Sequence, residues 1–317
     1  MHGYISITDR CNSRCSMCQF GEEKGTGAAD LDPGLLEKLP PLFYCDITGG
    51  EPFLHEGLPD IIRILRAKTR RLLIITNGYY TDKIIAAARQ FPETAFRVSI
   101  DGYDTTHDEI RQIPGSYEKA VATLSGLRQA GIKDLGICMT VQDMNHGDVL
   151  GLYDYCRGNH FQFAVTIPHS SFYFGTPPRL EKIEEISETL SRLKQVFLQS
   201  SSPKDWARAY YVNGLIGRLN NKERPLPCTC GTDSFFVQPD ANVHACNGSA
   251  APRIFGSLRD QSWDEIWKSE RAEKIRDEVK ECTQQCWMMC NVAPVIWHRP
   301  LKVLMWVVRE KLGPRGS

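Results

Sequence analysis

Residues 3–18 read GYISITDRCNSRCSMC. The first six, GYISIT, are rich in β-branched and aromatic side chains and read as a short strand, and a loop carrying Cys11, Cys15 and Cys18 follows at once. Five more segments of this kind recur downstream: YCDIT (44–48), LLIIT (72–76), FRVSI (96–100), LGICMTV (135–141) and FQFAVTI (161–167). Between them lie stretches of helical period, among them 58–68, 116–131 with Gly131 as a stop, and 148–156. This alternation predicts an α/β fold of parallel βα units, whose ligands gather where loops leave the carboxyl ends of the strands. The three cysteines sit on the first such loop.

A chain of 317 residues allows one large domain or a domain with a smaller module. Hydrophobic residues make up 42%, and 38 basic residues balance 38 acidic ones, which excludes a disordered chain and a basic nucleic-acid-binding surface. Twelve cysteines are the unusual count. Residues 1–8 lack the charged and apolar regions of a secretory signal, so the expected compartment is reducing and cytoplasmic, where clustered thiols serve as metal ligands or catalytic groups and no disulfide is expected.

Cys11, Cys15 and Cys18 form C-x3-C-x2-C. Three soft thiolates so close can wrap one corner of an iron–sulfur cube, and since full ligation needs four, one iron stays open. Zinc is the plain alternative, although structural zinc usually pairs a short C-x2-4-C with a second, distant pair. Three further markers fall at strand ends: Gly49-Gly50-Glu51-Pro52 after the second strand, Thr76-Asn77-Gly78 after the third, and Ser99-Ile100-Asp101-Gly102 at the fourth. Glycines permit close backbone approach, and a carboxylate accepts from an ammonium.

In this order and register the four motifs resemble the radical S-adenosylmethionine (radical SAM) superfamily over about residues 3–170. Met17 stands where many relatives carry an aromatic residue, with Phe20 just beyond. The resemblance implies a partial (β/α)6 TIM-like barrel in which Cys11, Cys15 and Cys18 hold a [4Fe-4S] cluster. It implies that S-adenosylmethionine (SAM) chelates the open iron and is split, by one electron from a flavodoxin- or ferredoxin-type donor, to methionine and a 5′-deoxyadenosyl radical that removes a substrate hydrogen. Gly49, Gly50, Glu51 and Pro52 match the motif that holds the methionine amino end, and Asn77 belongs to the next marker. Ser99 and Asp101 match positions contacting ribose or the methionyl carboxylate, and Thr140, Val141 and Asn145 positions contacting ribose or adenine.

After Pro168 the rhythm stops, and 180–222 reads as two helical stretches separated by SSSPK. Beyond it, FFVQ and VHAC flank a Pro239-Asp240-Ala241-Asn242 turn in which Asn242 suits a left-handed conformation, and an amphipathic helix over 262–279 leads to the last cysteines. The set Cys228, Cys230, Cys246, Cys282, Cys286 and Cys290 resembles the SPASM or shorter twitch extension of radical SAM proteins. That implies a Cys-rich α+β module with one auxiliary [4Fe-4S] cluster, held by Cys230, Cys246 and two of the last three, with Cys228 competing with Cys230. A zinc knot and a second, incompletely ligated cluster remain alternatives. The expected organisation is a barrel over 1–178, a helical connector over 179–224, the cluster module over 225–292 and an amphipathic tail over 293–317.

Cys45, Cys138 and Cys156 read as buried small hydrophobes. His169, Ser170, Ser171 and Tyr173 follow the sixth strand and are candidate substrate contacts, the alternative being a solvated loop. Trp287-Met288-Met289 would shield the auxiliary cluster, line a channel or pack in the core. The tail IWHRPLKVLMWVVREKL (296–312) is too short to span a bilayer and reads either as a helix making peripheral membrane contact or as one docked on the barrel. The expected substrate is a small molecule such as a sugar or lipid-linked metabolite, with a peptide as the alternative and a non-catalytic electron carrier as the rival from another class. No substrate-level acid or base is legible.

Overall fold

The computed structural model describes residues 1–20 and 29–312. Six strands, β1 (His2–Ser6), β2 (Leu42–Thr48), β3 (Thr69–Thr76), β4 (Ala95–Ser99), β5 (Leu135–Thr140) and β6 (Gln162–Thr166), pair in parallel, each with its neighbour in sequence. The helices α1 (Leu58–Lys68), α2 (Thr81–Gln90), α3 (Asp104–Arg111), α4 (Ser116–Gln129) and α5 (Val149–Gly158) fill the crossovers. In α1 the buried residues Leu58, Ile61, Ile62 and Leu65 fall at i, i+3, i+4 and i+7, one stripe turned to the core. Along the strands the period is two. Ile5, Cys45, Ile47, Ile74, Phe96, Val98 and Ile137 join the main core, while the alternate positions Tyr4, Asp46, Arg97 and Ser99 face away from it, into the partial barrel.

Two long helices, α6 (Ile183–Gln199) and α7 (Pro203–Leu219), pack on each other as the break at Ser200–Ser202 predicts. The cysteine-bearing segment then adds β7 (Ser234–Val237), β8 (Asn242–His244) and β9 (Ile254–Ser257). The sequence predicts a hairpin here, but not where it docks. Strand β7 pairs in parallel with β1, His2 opposite Ser234 and Ile5 opposite Val237, so one nine-stranded sheet runs β6-β5-β4-β3-β2-β1-β7-β8-β9. The free edge of β1 is thereby covered.

Two local expectations are corrected. The left-handed residue of the hairpin turn is Ala241 (φ 70°), not Asn242, which is already extended in β8 and places both its N–H (2.9 Å) and its side-chain amide (2.7 Å) on the Asp240 carboxylate. The single helix expected over 262–279 is two, α8 (Trp263–Trp267) and α9 (Glu270–Lys280), because Ser269 opens the second by accepting the Ala272 N–H at 3.0 Å. The chain ends in α10 (Met289–His298) and α11 (Pro300–Leu312), the latter with Pro300 in its first turn as expected.

Candidate active site and iron–sulfur centres

The cysteine loop is held from three sides. At its root, the Gly50 N–H donates to Thr8 O (2.7 Å) and the Glu51 N–H to Arg10 O (2.8 Å), as an extra strand rung would. A Cβ on Gly49 would stand 2.5 Å from Thr8 O and one on Gly50 2.1 Å from Arg10 O, so the two glycines are required by this close approach. On one flank, Asn77 Nδ2 donates to Asn12 Oδ1 (2.8 Å) and Ser13 Oγ (3.2 Å). On the other, the last turn of α3 accepts from the loop backbone, Ser16 N–H to Ile110 O (2.9 Å) and Arg14 N–H to Arg111 O (3.3 Å).

Glu51 is completely buried, and its carboxylate accepts from the Thr76 hydroxyl (2.7 Å), the Asn77 N–H (2.7 Å) and the Phe53 N–H (3.2 Å). Both oxygens thereby tie the end of β2 to the end of β3, and of the roughly four acceptor sites of a carboxylate one is left for the ammonium contact expected of this residue. Pro52 opens the single 3₁₀ turn (Pro52–Leu54) that Glu51 caps. Burial pushes the Glu51 carboxyl up to about 7.

Asp101 also braces. It is fully buried, with Oδ1 accepting the Thr140 N–H (2.7 Å) and Oδ2 lying 2.6 Å from Arg111 Nη2. Arg111 Nη1 reaches Cys15 Sγ at 3.6 Å. Burial alone would lower the Arg111 guanidinium, but Asp101 and Cys15 outweigh it and keep the group charged. Asn145 donates to Asp101 O (2.7 Å) and Thr140 O (2.9 Å) and is itself buried, so it shapes the β5 loop from beneath. Ser99 is nearly buried at the end of β4, and Val141 is fully buried with its N–H on Thr166 O (2.8 Å).

Arg111 is the residue that sequence reasoning missed. It lies three positions after Asp108, the spacing of an ordinary surface pair. The structure instead uses Asp108 to cap α4, accepting from Ser116 Oγ and Tyr117 N–H at 2.8 Å each, which frees Arg111 to turn inward.

Of the rim residues after β6, Ser170 is exposed, while His169, Ser171 and Tyr173 are buried. His169 Nε2 bonds Gly248 O (2.8 Å), the Phe172 N–H donates to Ser249 O (3.0 Å), Gln19 Nε2 donates to Phe172 O (3.1 Å) and Tyr173 O, and Tyr173 Oη donates to Ser6 Oγ (3.2 Å). The segment straps the first cysteine loop to the C-terminal module. Beneath it Tyr4, Tyr173 and Phe236 form a small aromatic cluster with Phe20, Phe172 and Cys290 packed against it.

In the C-terminal module Cys230 lies within thiol hydrogen-bond reach of both Cys228 and Cys246. Those contacts push the Cys228 and Cys246 thiols down, each to about 6, and push Cys230 up. Cys286 lies in the electrostatic field of Cys228, Cys246 and Cys282 and meets Arg224 Nη1 and Asn291 Nδ2, both at 3.7 Å. Cys282 faces Arg253 on a cavity of about 400 Å³. Cys290 stands toward the barrel interior, beside Asn247 Oδ1 (3.5 Å) and the aromatic cluster. The structure thus brings Cys228 and Cys246 each beside Cys230.

Trp287 belongs to the core. It is fully buried, donates Nε1–H to Tyr211 O (2.7 Å) and covers Gly214, where a Cβ would meet its ring at 2.1 Å; Met288 is buried and Met289 is exposed. Gly214→Ala is therefore expected to displace Trp287 and, with it, neighbouring Cys286. The reconstituted variant should lose auxiliary-cluster iron while the barrel cluster stays, as an iron assay would show.

Three thiols on a braced loop with a guanidinium beside one of them, and six more within a single module, are the soft donors that iron–sulfur clusters take. Burial pushes Cys11 up to about 12 and raises Cys18, so loading a cluster displaces protons. Among the described residues no three His, Cys, Asp or Glu side chains converge as ligands of a single ion would.

This donor chemistry, set on a parallel barrel with a cysteine-rich extension, is that of an iron–sulfur protein. The family profile of the radical SAM superfamily matches residues 5–156, and that of the SPASM iron-sulfur cluster-binding domain matches residues 228–291. The chain belongs to the radical SAM superfamily and carries a SPASM domain. Its cofactors are accordingly SAM, a [4Fe-4S] cluster and an auxiliary iron–sulfur cluster.

Among its relatives, the sporulation killing factor maturation protein SkfB of Bacillus subtilis is 22% identical over 88% of this chain and 67% of its own. GTP 3′,8-cyclase of Corynebacterium glutamicum is 25% identical over 86% of this chain and 82% of its own. The chain spans only 39% of pre-heme d1 synthase of Dinoroseobacter shibae, to which it is 32% identical over the matched part. Among solved structures, native anSMEcpe with bound AdoMet aligns with a TM-score of 0.67 at 15% identity over 97% of this chain and 99% of that one. Streptococcus suis SuiB bound to S-adenosylmethionine aligns at 0.62 and 11% identity over 87% of this chain and 67% of that one.

Proposed function

We infer that this chain is a radical SAM enzyme that removes a hydrogen from a compact polar substrate held inside the barrel. The observation that carries the reading is a pair of buried polar atoms with no partner: Tyr4 Oη and Asp46 Oδ1, on register-paired residues of β1 and β2 facing the interior. A buried polar group without a partner is costly, and a bound molecule's own donors would satisfy both atoms. Tyr173 lies in the field of Cys18 and Asp46, and Cys290 in the field of Asp46.

The bound cluster and SAM supply one-electron cleavage of the sulfonium; the chain's own task is placement and exclusion of water. Cys11, Cys15 and Cys18 hold the barrel cluster. Gly49, Gly50, Pro52, Asn77, Ser99, Thr140 and Val141 shape the SAM site, with Glu51 and Asp101 bracing it from behind. Four of the six C-terminal cysteines hold the auxiliary cluster, Cys228, Cys230 and Cys246 among them. The division into barrel (1–178), connector (179–224), cluster module (225–292) and tail (293–317) is kept with the qualification that module and barrel share one sheet. A peptide substrate is the second reading, supported by the fold neighbour Streptococcus suis SuiB, whose structure is solved bound to precursor peptide SuiA.

Anaerobic reconstitution followed by dithionite and SAM tests the activity. Formation of 5′-deoxyadenosine is expected, and its absence with fully loaded clusters would leave only an electron carrier. Asp46→Asn should leave that cleavage near normal without substrate and weaken substrate-dependent turnover at least tenfold.

Burial raises the Asp46 carboxyl to about 7, as it does Glu51. Both groups bind a proton more tightly in the folded chain than in the unfolded one. The cluster-free protein should therefore lose stability as pH rises from about 4.5 to about 7, by roughly 1 kcal/mol for each pH unit and each group. Denaturant titrations across that window should show the fall. Asp46→Asn should flatten part of it, and an unchanged slope would show that the carboxyl is already ionised.

A further inference from the structure

The C-terminal helix presents two faces of opposite character. On one, Val303 and Val307 are buried, Trp306 meets Tyr210 edge-on at 5.1 Å, and Glu310 pairs with Lys194 of α6 at 3.2 Å, so α11 is docked, against the connector helices α7 and α6 where the sequence predicts the barrel. The other carries an unbroken apolar row. Leu301, Leu304, Met305, Val308 and Leu312 recur at the spacing of one helical face and are all exposed, Leu301 by 72% and Leu312 by 80%. At the end of α10, Trp297 is 68% exposed. Scattered surface leucines need no explanation, but a five-residue row on one helix does.

The charges around the row are all of one sign. At 100° per residue, Lys302 and Arg309 border it on one side and Lys311 on the other, while Glu310, the only acid of α11, points to the protein and is neutralised there. Lys302 and Lys311 are held in place by hydrogen bonds to Pro225 O (2.9 Å) and Ser200 O (3.3 Å). A second copy of the same face would set basic border against basic border across a two-fold contact, which is repulsive. A surface of anionic headgroups over acyl chains matches both the row and its borders. No helix among the described residues is long and apolar enough to cross a membrane, so such a contact is parallel to the surface.

We propose that α11 seats this protein on anionic lipid, its apolar row in the headgroup boundary and Lys302, Arg309 and Lys311 on the phosphates, with Trp297 as an interfacial anchor. The proposal is independent of the enzymatic reading, and its test uses binding alone.

The reconstituted full chain is floated with vesicles of phosphatidylcholine alone and of phosphatidylcholine with phosphatidylglycerol. Several-fold enrichment on the anionic vesicles, reduced by added salt, is expected. Leu301→Asp with Met305→Asp should cut that binding by at least about tenfold, and Arg309→Glu severalfold, with unchanged thermal midpoints because none of the three touches the docked face. Equal flotation of wild type and the Leu301/Met305 variant would overturn the proposal. So would a wild type that stays off vesicles but dimerises in light scattering and loses the dimer on the same substitutions, since the row would then bind a second copy.

Discussion

Replacing Cys11, Cys15 and Cys18 together by alanine is expected to remove about four irons per reconstituted chain and to bring 5′-deoxyadenosine formation to background. The remaining iron should stay with the SPASM domain, because its thiols are held by contacts of their own. Cys230 is within thiol hydrogen-bond reach of Cys228 and Cys246, and Cys286 is fixed by Arg224 and Asn291. Iron and sulfide assays distinguish the outcomes. Loss of about four irons with about four remaining supports one auxiliary cube, and loss of all iron argues against it. Single substitutions of Cys228 and Cys290 then separate ligands from neighbours. Cys228→Ala should lower auxiliary iron, and Cys290→Ala, which alters a thiol facing the aromatic cluster, should lower it less.

Arg111→Met is expected to be the most damaging change outside the cysteines. It leaves Asp101, wholly buried, without its counter-charge, and breaking a buried pair from one side costs about 3–5 kcal/mol. It also removes the guanidinium that reaches Cys15 Sγ at 3.6 Å, so the cysteine loop loses a brace on its α3 side. Three readouts should move together: a lower thermal midpoint, incomplete loading of the barrel cluster, and weaker SAM binding. The double variant Arg111→Met, Asp101→Leu removes the orphaned charge as well and should recover most of the thermal loss without recovering SAM binding. If the double variant is no more stable than the single, the pair is not what holds the β4 and β5 loops together.

Much of the fold and of the cysteine sites is legible in the sequence because it is periodic or punctuated. The strands show as β-branched runs, α1 as an i, i+3, i+4 stripe, and the cysteine triplet as a spacing that tolerates no slip. What stays hidden depends on partners far apart in the chain. Glu51 shows in sequence as part of a glycine-rich motif, which does not reveal that Thr76 and Asn77, about twenty-five residues on, donate to its carboxylate. Arg111 looks like the mate of Asp108 until that acid is seen capping α4. His169 and Tyr173 look like a solvated rim until Gly248 and Ser6 are brought against them. Ala241 in a left-handed turn defies its own propensity because neighbouring Asn242 is captured by Asp240. In each case a tertiary contact overrides the local pattern.

The pairing of β1 with β7 sets an order of events during synthesis. Strand β1 cannot complete its hydrogen bonding until residues more than two hundred positions later have emerged from the ribosome. Until then its backbone offers an open template to any extended segment nearby, including another nascent chain. Such long-range closure is slow, since most of the chain must be gathered before the contact is made. Production in cells should therefore be sensitive to the rate of translation and to chaperone supply. C-terminal truncations ending before residue 234 should aggregate even though they contain every motif of the barrel.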